Sequence, residues 1–337
     1  MTKKRFSLFP LLIGFLITAW LLSQYGERWL RLLLIYFSQA TWAKELVSSL
    51  PITRQVAARF VAGETRDDAI DTARDLRNKG MAVTMDFLGE HVSTPDEAIA
   101  ARAEILRLLD DIERHELPNT NVSVKLSQLG LRISEDLALE NMRQLLQHAQ
   151  QYKNKIRIDM EESGVTDATL RVYRTLRQEF PNVGIVIQAY LFRTEADVQQ
   201  LIAEGAWVRL CKGAYAEPPD VAFPNKADTD ANFVKLTQMM LNDEARANGI
   251  YLGIATHDEN MIQAAVEYAK AHQIPPSAFE FQMLYGIRRE LQESLVQSGY
   301  QVRVYVPYGT AWYAYFVRRL AERPANLWFF VSNLLRN

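Results

Sequence analysis

The chain has 337 residues, 48% of them apolar and 23% charged, a balance that builds a large core and excludes a disordered or fibrous protein. A formal charge of −2 leaves no basic footprint for nucleic acid. The single cysteine, Cys211, excludes an internal disulfide framework and a cysteine-built zinc site, and the histidines show no pair at metal-ligand spacing, so no metal is expected.

The first residues stand apart. Met1 to Arg5 is basic, and Phe6 to Leu22 is almost wholly apolar, broken only by Ser7 and Thr18. Such a run sits at the lower edge of what crosses a bilayer, where about 20 residues are usual. Trp20, Tyr25 and Trp29 stand where an aromatic belt would be, and Trp29 to Phe37, interrupted by Arg31, has the pattern of an interfacial helix. A cleaved signal peptide lacks its small-x-small site here, and a buried helix is the bland alternative. The expectation is a membrane anchor over residues 1–38, followed by a helical arm over 39–80 and a catalytic barrel over 81–337. Basic residues before the run point the N-terminus to the cytoplasm, whereas Arg28 and Arg31 after it oppose that orientation, and the barrel is expected to face the cytoplasm. Monotopic attachment removes the conflict.

Further along, short apolar runs alternate with amphipathic stretches. The runs are Met81–Leu88, Asn121–Leu126, Lys155–Met160, Val183–Leu191, Ala206–Cys211, Ile250–Thr256, Phe279–Leu284 and Val302–Val306. Between them lie helical patterns such as Thr94–Leu109, Ser134–Gln151, Val165–Phe180, Asp258–Ala271 and Ile287–Ser298, with Thr94, Ser134 and Asp258 as N-caps. Alternating strand and helix predicts a parallel sheet with right-handed crossovers, and eight repeats predict an α/β protein of the (β/α)8 TIM-barrel type. An open doubly wound sheet is the alternative, but no G-x-G-x-x-G follows any strand.

Barrel active sites lie at the C-terminal ends of the strands. Here those ends carry Asp86, Lys125, Asp159, Gln188, Arg209 with Lys212, Thr256 with His257, Gln282 and Tyr305. Solvated strand ends place some polar residues there in any barrel; one at every strand predicts a functional mouth. Lys125, Arg209 and Lys212 against Asp86 and Asp159 suit an anion. Gly213, in the turn Lys212-Gly213-Ala214-Tyr215, permits close backbone approach, although glycine after a strand is usually only a turn. Arg318 and Arg319 either complement a helix dipole or clamp one carboxylate as paired forks. His257, alone after a strand, reads first as a structural residue. Lys125 or Lys212 could also form a Schiff base, as in barrel lyases.

The assembled motifs resemble the FAD-dependent proline dehydrogenases, most closely the short monofunctional bacterial type. The matching stretches are VKLSQLG from Val124, Asp159-Met160-Glu161, Val186-Ile187-Gln188-Ala189-Tyr190, VRLCKGAY from Val208 and Ala255-Thr256-His257-Asp258. Most specific are FEFQMLYG, VRVYVPYG and RRLAERP between Phe279 and Phe330, and the similarity runs from Arg54 to Phe330. The resemblance implies FAD bound at the mouth without a Rossmann fingerprint, and L-proline oxidised to 1-pyrroline-5-carboxylate by hydride transfer from C5 to flavin N5. Electrons would pass to a membrane quinone, and a separate pyrroline-5-carboxylate dehydrogenase would take the next step.

Residue by residue, it implies flavin contacts at Met160, Gln188, Arg209, Lys212, Gly213, Ala214, Thr256 and His257, with Arg209 near N5. Lys125, Arg318 and Arg319 would hold the substrate carboxylate, while Leu284 and Tyr305 would pack on the ring beside Tyr215. Asp159 matches the family's catalytic-site aspartate, and Glu90 resembles a carboxylate that gates the site by pairing with an arginine. Cys211 replaces an aliphatic residue, and Ala216 replaces an aromatic of bifunctional relatives. Three alternatives stand beside this reading: a 4-hydroxyproline dehydrogenase, which Tyr305 disfavours by crowding the ring, a Schiff-base lyase, and a proline sensor without turnover.

Overall fold

The eight apolar runs become eight parallel strands: β1 (Ala82–Phe87), β2 (Thr120–Lys125), β3 (Ile156–Asp159), β4 (Val183–Gln188), β5 (Trp207–Cys211), β6 (Tyr251–Ala255), β7 (Phe279–Leu284) and β8 (Val302–Tyr308). They close into a barrel in chain order, β8 pairing β1 with Thr84 opposite Tyr305. The computed structural model describes residues 57–89 and 92–322, with side chains to 317. The anchor expected over residues 1–38 lies outside the described residues, as does the gating residue Glu90. Among the described residues no helix is long and apolar enough to cross a membrane.

The helices are α1 (Arg66–Asn78), α2 (Pro95–Arg114), α3 (Glu135–Gln151), α4 (Thr166–Glu179), α5 (Thr194–Ala203), α6 (Lys226–Leu241), α7 (Asp243–Ala247), α8 (Glu259–Ala271), α9 (Arg289–Gln297) and α10 (Trp312–Glu322). Thr94, Ser134 and Asp258 cap α2, α3 and α8, and Thr94 forms a full capping box with Glu97. Of these, α5, α6 and α7 went unread in the sequence. In α6 four acidic or amide residues and two threonines blur the apolar stripe, yet Phe233, Leu236, Met240 and Leu241 are buried. α1, within the stretch expected as an arm, buries Ala69, Ile70, Ala73 and Leu76 in the core shared with the strands. Residues 61–310 form one compact unit, and α10 belongs to another.

Period-two alternation sorts the strand side chains. Met85, Val124, Ile158, Ile187, Leu210, Ile254, Met283 and Val304 join helix residues such as Leu108 and Leu145 in one buried cluster. Many of the alternate positions, which face the axis, are polar: Asp86, Ser123, Arg157, Asp159, Arg209, Glu280, Gln282, Arg303 and Tyr305. A barrel interior is ordinarily filled by branched apolar side chains. Two glycines make room for large ones instead. A Cβ at Gly184 on β4 would come within 2.2 Å of the Trp207 ring, and one at Gly253 on β6 within 2.3 Å of the Gln282 amide.

Candidate active site

At the C-terminal ends of the strands one hydrogen-bonded group joins six strands. The Lys125 Nζ donates to Asp86 Oδ2 at 3.0 Å and to the Tyr305 hydroxyl at 3.4 Å, and lies 3.7 Å from Asp159 Oδ2. Tyr305 in turn donates to Asp159 Oδ2 at 2.7 Å. Arg209 spreads three donors across the barrel: Nη1 to Asp159 Oδ1 at 2.7 Å, Nη2 to Ser123 Oγ at 3.1 Å and Nε to Gln282 Oε1 at 2.5 Å. Its guanidinium carbon lies 5.1 Å from the centre of the Tyr305 ring. Inward alternation from six strands thus converges at the mouth, and register supports it, because Lys125 stands opposite Asp159 and Leu284 opposite Tyr305.

Burial raises the Asp86 carboxyl to about 6; Lys125 opposes that rise and Asp159 reinforces it. Burial also carries the Tyr305 phenol well above its usual range, with Asp159 and Asp86 adding to it. The phenol therefore stays a hydrogen-bond donor at any working pH.

A second cluster lies on the loops after β5 and β6 and on α6. The Lys212 Nζ donates to Asp230 Oδ1 at 2.5 Å and to Asp258 Oδ2 at 2.8 Å. Burial works against the Asp258 charge, but Lys212 and Lys226 outweigh it and hold the carboxyl at about 2. Gly213 has φ +115°, and a Cβ there would strike the Tyr190 ring, so glycine is required by the turn itself. His257 Nε2 accepts the Leu284 N–H at 2.9 Å, which assigns a lone ring proton to Nδ1. Thr256 Oγ1 accepts from the Asp258 N–H at 3.1 Å. Met160 and Gln188 are buried, and the Gln188 Oε1 has no hydrogen-bond partner among the described residues.

Ten of the site residues expected from sequence therefore lie on the strand ends and loops of one barrel mouth: Lys125, Asp159, Met160, Gln188, Arg209, Lys212, Gly213, Thr256, His257 and Tyr305. Ala214 follows Gly213 in the loop after β5, and Leu284 ends β7 at the same mouth. Arg318 and Arg319 lie on α10, where their side chains fall outside the described ones. Cys211 donates weakly to the Ile187 carbonyl at 3.5 Å, and burial pushes its thiol up to about 12, which leaves it inert. Sequence reading missed Ser123 and undervalued Gln282, two of the three groups that hold Arg209. Both stand on the inward phase of their strands, two residues before Lys125 and Leu284, and that phase is the signal that finds them. It also missed Glu161, which accepts from the Ser127 backbone at 3.0 Å and from its hydroxyl. That brace ties the Asp159-Met160-Glu161 motif to the VKLSQLG loop.

A family profile described as proline dehydrogenase matches residues 69–331. The chain belongs to the proline dehydrogenase family. Proline dehydrogenase 1 of Bacillus subtilis is 44% identical over 284 residues, 84% of this chain and 92% of its own length. The proline dehydrogenase of Deinococcus radiodurans is 42% identical, covering 83% and 90% of the two chains. Among solved structures, proline utilization A of Bdellovibrio bacteriovorus superposes with a TM-score of 0.75 at 29% identity. The match takes 80% of this chain and 33% of that one, so the chain spans about a third of that larger protein. As a member of the family the chain is an oxidoreductase that oxidises proline, and its cofactor is FAD. The Schiff-base lyase falls with that membership. The mouth fits a flavin on its own terms: the buried, unpartnered Gln188 Oε1 is an acceptor for a ring N–H, and the Gly213 turn exposes backbone beside it.

Proposed function

We propose that L-proline binds at the C-terminal mouth of the barrel against the flavin, with Lys125, Arg318 and Arg319 on its carboxylate. The observation that carries this reading is the convergence of Lys125, Asp86, Asp159, Tyr305 and Arg209 in one hydrogen-bonded group. When bound, FAD supplies the two-electron acceptor that turns the C5–N bond of proline into the imine of 1-pyrroline-5-carboxylate. The protein then has to position rather than to exchange many protons. Arg209, fixed by three partners, presents a rigid cation beside the flavin, while Met160, Gln188, Lys212, Gly213, Ala214, Thr256 and His257 hold its remaining parts. Asp159 stands between Tyr305 and Arg209 and sets the orientation of both. Leu284 and Tyr305 bound the substrate ring. Because Asp159 tethers its hydroxyl, the Tyr305 ring cannot swing aside for a 4-hydroxyl group, which favours L-proline over 4-hydroxyproline. Glu90 closes the site by pairing with one arginine.

The visible spectrum of the purified protein tests this directly. Anaerobic L-proline bleaches the flavin band and 4-hydroxyproline does not; a flavin that stays oxidised with proline sinks the assignment and favours a sensor. Electrons pass onward to a membrane quinone, and a separate pyrroline-5-carboxylate dehydrogenase consumes the product. Residues 1–38 attach the enzyme to the membrane with the barrel facing the cytoplasm. Full-length protein carrying Ile13→Lys and Leu16→Lys leaves the membrane fraction while its flavin still bleaches with proline. Unchanged sedimentation would remove the anchor.

A further inference from the structure

The opposite end of the barrel holds a cavity of about 1130 Å³, formed where the strands begin. Its wall includes Arg77, Lys155, Trp207, Tyr251, Glu280 and Arg303, all within residues 61–310. None of these residues belongs to the proline site.

The charge there is unbalanced. Glu280 is the one buried carboxylate on the wall among the described residues, and it is already engaged: Arg303 Nε reaches its Oε1 at 2.8 Å and Gln282 at 2.5 Å. Two further lining carboxylates, Glu113 and Glu116, are exposed to solvent. Behind the wall lies Arg157, 0% exposed, its guanidinium stacked 3.7 Å from the centre of the Trp207 ring. All three of its guanidinium nitrogens lack a hydrogen-bond partner among the described residues, and so does Arg77 Nε. Lys155 Nζ lies 5.3 Å from the same indole. Burial lowers the proton affinity of Arg157, Lys155 and Arg77, and in each case a neighbouring cation lowers it further, Arg303 acting on all three. Donors are in excess and acceptors are missing, the arrangement that recognises an anion. Ile112, Leu117 and Tyr152 supply apolar and aromatic surface beside them, which suits an organic body rather than a bare inorganic ion.

We propose that this cavity is a second binding site, for a small organic carboxylate with an apolar or aromatic body. Its oxygens face Lys155 and Arg303, its body lies against Trp207 and Tyr251, and Arg157 adds its charge from behind the indole. With Glu280 already engaged by Arg303 and Gln282, the buried part of the cavity offers no free counter-charge for an ammonium group, so amino acids such as proline are poor ligands here.

Benzoate is the probe, followed on the full-length flavoprotein by calorimetry and by tryptophan fluorescence, with benzylamine as the cationic control. Saturable binding is expected, weakened about tenfold by Lys155→Met or Arg77→Met and unchanged by Lys125→Met at the other end. Arg157→Met should abolish it; where that variant fails to fold, the Lys155 and Arg77 variants decide. Binding lost in Lys125→Met and kept in Lys155→Met would place benzoate at the proline site and overturn the proposal. Equal binding of benzylamine, or no saturation up to about 10 mM, would overturn it as well.

Discussion

Asp86 shows what the site costs the fold. Its carboxyl is buried and raised to about 6, against roughly 3.9 in an unfolded chain. The folded state therefore binds a proton that the unfolded state releases between those values, and stability falls as pH rises through that window. Asp86→Asn mimics the protonated form. It should stabilise the protein at pH 7 by on the order of 2 kcal/mol and do little at pH 4, while impairing turnover by removing the partner of Lys125. Denaturant unfolding at the two pH values checks this, and a variant less stable at pH 7 would refute it. A charged aspartate persists there because the mouth needs a counter-ion for Lys125 at 3.0 Å, not because the fold does.

Strands β4 and β6 work as spacers. Gly184 and Gly253 carry no side chain into the interior, so Trp207 and Gln282 can lie across the axis. A methyl at Gly184 must displace both the ring and the backbone oxygen of Trp207, which is 2.8 Å from the same point. Gly184→Ala should then cost about 1–3 kcal/mol, and a smaller residue in place of Trp207 should recover part of it. A thermal-melt double-mutant cycle measures the coupling; additive effects would show that the two positions do not share this space. The helices are easier to account for, since caps such as Thr94 contribute about 1 kcal/mol each wherever the neighbouring apolar stripe docks.

Through the whole barrel unit runs a polar column. From the mouth it passes from Tyr305 to Asp159, Arg209, Gln282, Glu280 and Arg303, and Arg303 Nη1 ends it on the Val83 and Asn119 carbonyls. Burial opposes the Glu280 charge, but Arg303, Arg157 and Gln282 outweigh it and hold the carboxyl below its usual range. The sign is opposite to that of Asp86: this stability is present above the normal carboxylate range and is lost as pH falls through the folded value. Glu280→Gln should cost about 3 kcal/mol at pH 7, and its deficit against the wild type should shrink towards pH 4. A deficit that does not change with pH would mean the charge contributes nothing.

Strand count, parallel order and the mouth residues were legible in the chain because each is a local signal: an apolar run, an N-cap, a polar residue at the run's end. Motif by motif, the resemblance to proline dehydrogenases carried the same information about Lys125, Asp159, Arg209 and His257. Helix α6 escaped because its buried face comes from tertiary docking rather than from a clean 3.6-residue stripe. The partners Ser123 and Gln282, the brace from Glu161 and the cations around Trp207 escaped for a related reason. Each depends on a contact across the barrel between residues dozens of positions apart, and period-two alternation says which way a side chain points but not what it meets. The sequence alone determined that polar groups would gather at one end of a closed barrel. Only closure of β8 on β1 decided that they continue down its axis to a second, cationic end, because that requires all eight strands to share one interior.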